Sequence, residues 1–329
     1  MLNAKTIFAA GMFPVLFSGC STDVATLASY KQIPVVYGLL NVSDTVQWIR
    51  INKAYLGEGN ALVMAQQPDS INYADVLDVT IEEYNGHNLL RTLNLQRDSG
   101  VLKDAGQFAN VPNILYRTNF GEKIFSKNSY RLKIMNRQTD SIATSETTVV
   151  DSISIFSPSN AAAINFAGPF PYTVRWNSVP EGFLYELIIR FHYTDINTST
   201  GDSTEKFIDW KHPTISNSTG GSSEFTIDID GQNFYIYAAS QLEPIAGIKR
   251  SAGKLDFNFT VAGKEYRNYV EVNQPPTGIN QSIPLYTNIQ GGIGIFSSRL
   301  TQSVKNRSLT GASLDSLKFG SHTGHLGFQ

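Results

Sequence analysis

Glu82 and Glu83 stand side by side, with Asp75 and Asp78 a few residues earlier, and paired carboxylates are what glycoside hydrolysis divides into two roles. The pattern around them works against that chemistry. Neighbours in a strand point to opposite faces, so Glu82 and Glu83 cannot face one substrate. The stretch Asp195-Ile196-Asn197-Thr198-Ser199-Thr200-Gly201 sets oxygen-bearing side chains at alternating positions, as the start of an EF-hand calcium loop does. Thr200 stands where the turn glycine is needed and Lys206 where a bidentate Glu belongs, so a polar hairpin tip fits better. Of the histidines His87, His192, His212, His322 and His325, only the last two are close in sequence. They lack a Cys or a carboxylate at metal-ligand spacing and read as exposed tail residues. Gly291-Gly292-Ile293-Gly294 has no Lys-Ser/Thr after it and reads as a close-packed turn, and neither Gly-x-Ser-x-Gly nor His-Glu-x-x-His occurs. The expectation is a protein with no catalytic residues, no metal site and no cofactor, rather than an enzyme.

The single cysteine, Cys20, excludes an intrachain disulfide and a Cys cluster for zinc. Before it come Lys5, an apolar run over residues 6–17, and the small residues Ser18 and Gly19, which together have the form of a signal peptide over residues 1–19. Leu16-Phe17-Ser18-Gly19-Cys20 resembles a bacterial lipobox, in which the cysteine sulfur receives a diacylglyceryl group and the cysteine becomes the new amino terminus. Phe17 stands where that pattern prefers Leu. Cys20 is therefore the expected lipidation site, with residues 20–29 as a short tether. Several acyl chains, at about 0.8 kcal/mol per buried methylene, anchor a chain stably to a membrane. In several lineages acidic residues just after such a cysteine direct export to the cell surface, and Asp23 is the one acidic residue between 21 and 29.

The 329 residues carry 26 Lys plus Arg against 28 Asp plus Glu, a net charge of -2, which leaves no basic footprint for nucleic acid. Hydrophobic residues at 41% and charged residues at 16% exclude a disordered or coiled-coil chain.

The elements that must position any site are mostly strands. Residues 33–40, 45–53, 76–84, 88–95, 129–135 and 142–150 have strand character, and in 47–52 Ile49 and Ile51 share one face while Arg50 and Asn52 share the other. Asn85-Gly86 signals a two-residue hairpin. Residues 57–67 suggest a short helix closed by Pro68, and residues 98–111 an exposed polar loop. Further strands are expected at 152–156, 172–177, 184–190, 204–210, 224–229 and 254–261. Helices are expected at 232–242, capped by Asp230, and after Thr310, with Leu314 and Leu317 inward and Gly320 at the end. The fold class is all-β, as tandem antiparallel sandwiches with a few short helices: an N-terminal domain over residues 30–151 and a C-terminal one over 152–329.

Tyr172-Thr173-Val174-Arg175-Trp176-Asn177 and Leu184-Tyr185-Glu186-Leu187-Ile188-Ile189-Arg190, joined by Val179-Pro180-Glu181-Gly182, resemble the central hairpin of fibronectin type III domains, with Trp176 as core anchor. More broadly, residues 33–40, 49–57 and 286–299 resemble a family of uncharacterised Bacteroidota lipoproteins of unknown function. That resemblance implies an outer-membrane or surface location and a role as a non-catalytic binding or accessory subunit. The expected partners are the membrane, through the lipid on Cys20, and an outer-membrane barrel or other lipoproteins in a complex for protein export or barrel assembly. The alternative is a glycan-binding lipoprotein of a polysaccharide-uptake system, which would display a row of exposed aromatic rings. Trp48, Trp176 and Trp210 all fall in strand-like runs and do not cluster in sequence, which favours the first reading.

Overall fold

The computed structural model describes residues 32–54, 60–217, 223–274 and 285–329. In chain order the first half forms β1 (Pro34–Leu40), β2 (Trp48–Lys53), the short helices α1 (Ala61–Ala65) and α2 (Pro68–Ile71), β3 (Leu77–Asn85), β4 (Asn88–Asn94), β5 (Gln96–Asp98), β6 (Leu115–Arg117), β7 (Ser129–Asn136) and β8 (Ile142–Thr148). The second half adds β9 (Ser154–Ser157), β10 (Tyr172–Asn177), β11 (Leu184–Asn197), β12 (Ser203–Lys211), β13 (Ile215–Ser216), β14 (Glu224–Ile229), α3 (Gly231–Gln241), β15 (Ile248–Ala262), α4 (Lys264–Val272), β16 (Ile293–Arg307) and α5 (Gly311–Phe319). The fold is all-β with a few short helices, as the alternation of apolar and polar residues dictates.

Among the described residues the strands form three sheets. A long sheet runs β12-β11-β15-β16-β1-β2-β6-β5, with β13 also on β11; β4-β3-β7-β8 and β14-β10-β9 are the others. One end of the long sheet packs on the four-stranded sheet, joining Val36, Leu40, Ile49 and Ile51 to Val79, Ile81, Leu132 and Ile134. The other end packs on β14-β10-β9 and the helices α3 and α5, burying Trp176, Phe191, Phe234, Phe257, Phe259 and Leu317. Period-two burial along β3 and β11 is the local cause, because alternate side chains face the opposed sheet.

Buried residues pass from one core to the other between Val149 and Val150, yet one sheet runs through both halves. The last strand pairs in parallel with the first, Val35 opposite Ile293 through Leu40 opposite Ser298. Ile289 and Phe296 thereby join the core built by residues before 150, while Leu300 and Val304 of the same strand belong to the other.

Four local expectations change. The strands at 172–177 and 184–197 do not form a hairpin: β10 pairs with β14 and β9, and β11 with β12, β13 and β15. The chain arches from one sheet to the opposed one, which sets the Trp176 ring 5.4 Å from Phe259 and 6.3 Å from Tyr185 across the core. The hairpin after β3 turns on Gly86 and His87 rather than Asn85 and Gly86, with Asn85 paired to Asn88. Gly86 alone has positive φ, +58°, which suits a turn with glycine at its first central position. Pro68 opens α2 at its first turn instead of only closing the helix before it. Residues 264–272, for which no element is expected from the sequence, form a helix, α4. Asp230 and Thr310 cap α3 and α5 as expected, accepting from the backbone N–H groups of Gln232 and Ser313.

Gly294 sits at φ +114°, and a Cβ there would lie 2.0 Å from the carbonyl oxygen of Val36, its partner across the parallel pair. Any side chain must push the first and last strands apart. Gly294→Ala is therefore expected to destabilise the protein by about 3 kcal/mol or more, measured by urea unfolding. A change within about 0.5 kcal/mol would show that the strand pairing does not depend on this contact.

Candidate functional site

Cys20, the signal segment and the tether lie outside the described residues. The other sequence candidates are dispersed. Glu82 is half-buried and Glu83 only 2% exposed, on opposite faces of β3. Glu83 is a structural anchor: its carboxylate accepts from Arg91 Nε at 2.5 Å, Asn128 Nδ2 at 2.5 Å and the Tyr130 hydroxyl at 2.9 Å. Burial pushes the Tyr130 phenol above its ordinary range, so it stays protonated and donates.

Asp195 is likewise committed to structure. Buried near the end of β11, it takes Arg250 Nε at 3.0 Å and Lys206 Nζ at 2.8 Å. Arg250 also donates to the carbonyls of Leu326 and Glu243 at 2.7 and 2.8 Å, which ties the chain end to the hairpin. The cation at Lys206 that broke the calcium pattern is thus the partner of the first aspartate. His322 and His325 are exposed near the chain end, His192 meets Asp256 at 3.0 Å, and no group of three His, Cys, Asp or Glu among the described residues is arranged to hold a metal.

Trp176 is buried in the core at 1% exposure, as expected of a core anchor. The stacked ring pairs among the described residues are Phe166–Phe234 and Phe191–Tyr193, which are buried, and Trp210–Tyr237, which is half-buried. None of these is an exposed platform of coplanar rings.

Two features that the sequence candidates do not include stand out. The first is a cleft of about 510 Å³ over the outer face of β1 and β2. Alternation sends Val36, Ile49 and Ile51 into the core and leaves Val35, Tyr37, Arg50 and Asn52 on the other face, with Tyr37 opposite Arg50 and Val35 opposite Asn52. The short helices and the loop before β6 form the facing wall. Asn52 Nδ2 donates to the carbonyl of Ile71 and to Asn72 Oδ1 at 3.1 and 2.9 Å, the Ala109 N–H to the carbonyl of Ala65 at 2.8 Å, and Gln66 to the carbonyls of Gly106 and Gln107.

The cleft is cationic. Arg50, Lys53 and Lys103 line it, and no carboxylate among the described residues does. Burial without a counter-charge pulls the Arg50 guanidinium below its ordinary pKa. The ammonium of Lys103 lies 5.7 Å from the Phe108 ring centre, and Tyr37 meets Tyr269 of α4 edge-on at 6.5 Å. Asn113, 6% exposed, donates to the Val101 carbonyl at 2.9 Å, but its Oδ1 has no partner among the described residues.

The second feature is the edge of the four-stranded sheet. β4 pairs with β3 on one side only among the described residues. Glu83 pairs with Arg91 and Tyr84 with Leu89, so Leu90 is the extra residue of a bulge. Leu89 and Leu90 are 53% and 55% exposed, and the one charge on the strand, Arg91, is drawn to Glu83. The edge strand β12 differs, carrying Glu205 and Lys211 in addition to the ion-paired Lys206 and Asp209, the kind of charge that protects an edge from further pairing.

No protein-family model matches this chain, and no curated protein matches its sequence.

His212 lies beside Trp210, ring centres 4.4 Å apart, with a buried Nε2 that has no partner. Burial lowers its pKa from 6.5 to about 4. The unfolded chain takes up the proton near 6.5 and the folded chain only near 4. His212 therefore contributes stability that is present above pH 6.5 and lost as pH falls toward 4. The expected loss is about 1–3 kcal/mol for this partly exposed ring. Urea unfolding of wild type and His212→Gln at pH 7 and pH 4.5 should show a smaller acid loss in the variant, and equal losses would refute the assignment.

Proposed function

We propose that the protein is a lipid-anchored, non-catalytic binding subunit of an outer-membrane complex, held to the membrane through Cys20. The observation that carries the binding role is the β4 edge: a seven-residue strand paired on one side only among the described residues, with two adjacent exposed leucines and its one charge, Arg91, drawn to Glu83. Such an edge is a template for pairing with another chain, and soluble proteins normally blunt it with charge, as β12 does. A protein partner adding a strand beside β4 would satisfy the open backbone groups and cover Leu89 and Leu90. The anchoring role is supported by the signal-like segment over residues 1–19 that stands directly before Cys20. A role in protein export or barrel assembly and a face toward the cell exterior complete this reading.

The test is mild-detergent purification of the tagged full-length protein from its own outer membrane, with mass spectrometry of what accompanies it. A stoichiometric barrel protein or lipoprotein is expected, and Leu90→Lys should reduce its recovery about tenfold, equivalent to about 1.4 kcal/mol at the contact. Recovery of the protein alone, under extraction that preserves other complexes, would overturn the reading. Cys20→Ser should abolish the lipid on the mature amino terminus, read by mass spectrometry of that peptide. A lipid that persists in the variant would place the anchor elsewhere.

A further inference from the structure

We propose that the cleft beside Arg50 binds the carboxy-terminal residue of a peptide that ends in an apolar side chain. This does not rest on the reading of the β4 edge, which lies on the other sheet of that sandwich. Among the described residues, the arginines withdrawn from solvent all meet a carboxylate or a backbone carbonyl, except Arg50. Arg91, Arg117, Arg131, Arg190, Arg250 and Arg267 are ion-paired, and Arg307 donates to the Lys305 carbonyl. Arg299, which also makes no such bond, is exposed. A half-buried guanidinium that has given up water and faces no anion among the described residues is unfavourable, and a bound anion removes the penalty.

The rest of the cleft narrows the choice of anion. A planar guanidinium grips a carboxylate with two parallel hydrogen bonds, and the ammonium groups of Lys53 and Lys103 add charge without adding direction. The unpartnered Oδ1 of Asn113 needs a donor. Of the candidate anions, a peptide brings such an N–H on the same residue that carries the terminal carboxylate. Val35, Ala65, Ile71 and Pro112 offer apolar wall for the last side chain. The volume of about 510 Å³ falls within the range of about 300–1,000 Å³ usual for ligand pockets. Inorganic phosphate would answer the cations, and its P–OH can donate to an acceptor, but it leaves the apolar wall without a partner. An acidic sugar would supply donors but set its hydroxyls against Val35 and Ile71. A free amino acid would bring its own ammonium group into a cationic site.

The test is isothermal titration of the detergent-solubilised full-length protein with acetylated tripeptides ending in Ala, Val, Leu, Ile or Phe. Each is used both as the free acid and as the carboxy-terminal amide. Saturable binding of at least one free acid is expected, with its amide at least tenfold weaker. Arg50→Gln should lose at least tenfold in affinity while the thermal unfolding midpoint is retained. Arg50→Lys, which keeps the charge but not the fork, should fall between the two and serves as the readout if Arg50→Gln does not fold. The proposal is overturned if acids and amides bind alike, if no free acid binds, or if the Arg50 variants bind as wild type does. It is also overturned if inorganic phosphate or galacturonate displaces the peptide at equal or lower concentration.

Discussion

The parallel pairing of the first strand with the last is the constraint on which the rest of this structure depends. β16 is fifteen residues long and serves both cores, with Phe296 in one and Leu300 and Val304 in the other. Where it passes between them stand Ser297 and Ser298, fully buried, and both hydroxyls are used. Ser298 Oγ accepts from the Val150 N–H at 3.1 Å, at the point where the chain leaves the first core. Ser297 Oγ accepts from the Tyr266 N–H at 3.2 Å, holding α4 against the sheet. Buried hydroxyls without such partners would each be costly, so the polarity of this crossing specifies which segments meet there. The approach of Gly294 to Val36 then sets the spacing of β1, and through β1 the position of β2.

The two candidate surfaces follow from that arrangement by strand geometry alone. Once β1 and β2 have turned Val36, Ile49 and Ile51 inward, Tyr37 and Arg50 must face outward as a cross-strand pair, and the short helices and the loop before β6 close over them. On the opposed sheet, the same alternation turns Glu83 inward among Leu77, Val79 and Ile81. A buried carboxylate must be paired, and it is, by Arg91, Asn128 and Tyr130. Taking Arg91 for this purpose removes from β4 the charge that would otherwise guard its edge. One buried carboxylate thereby shapes an exposed surface.

Features whose cause is local were legible in the sequence. The alternation of Ile49 and Ile51 against Arg50 and Asn52, the divergence of Glu82 and Glu83, the caps at Asp230 and Thr310 and the turn at Gly291 and Gly292 each depend on residues within one turn or strand, although Ile293 and Gly294, read as part of that turn, already belong to β16. What was not legible depends on partners distant in sequence. Nothing near Tyr172–Asn177 says that this strand joins β14 rather than the strand that follows it, since both choices bury Trp176. The pairing of Val35 with Ile293 and the meeting of Asn52 with Asn72 are likewise decided by packing across the sandwich. Arg50 was recognisable as an outward-facing residue, but its lack of a counter-charge appears only when its neighbours across the cleft are in place. The EF-hand-like stretch shows the converse: Lys206, out of place for calcium, is in place for Asp195.

The most direct test of the account is site-specific photocrosslinking in living cells, with a photoreactive amino acid at position 90 on the β4 edge or at position 207 on β12. A subunit that docks through the β4 edge should give one discrete crosslinked protein from position 90 and none from position 207. Crosslinking from position 207 alone, or from neither position, would contradict the account.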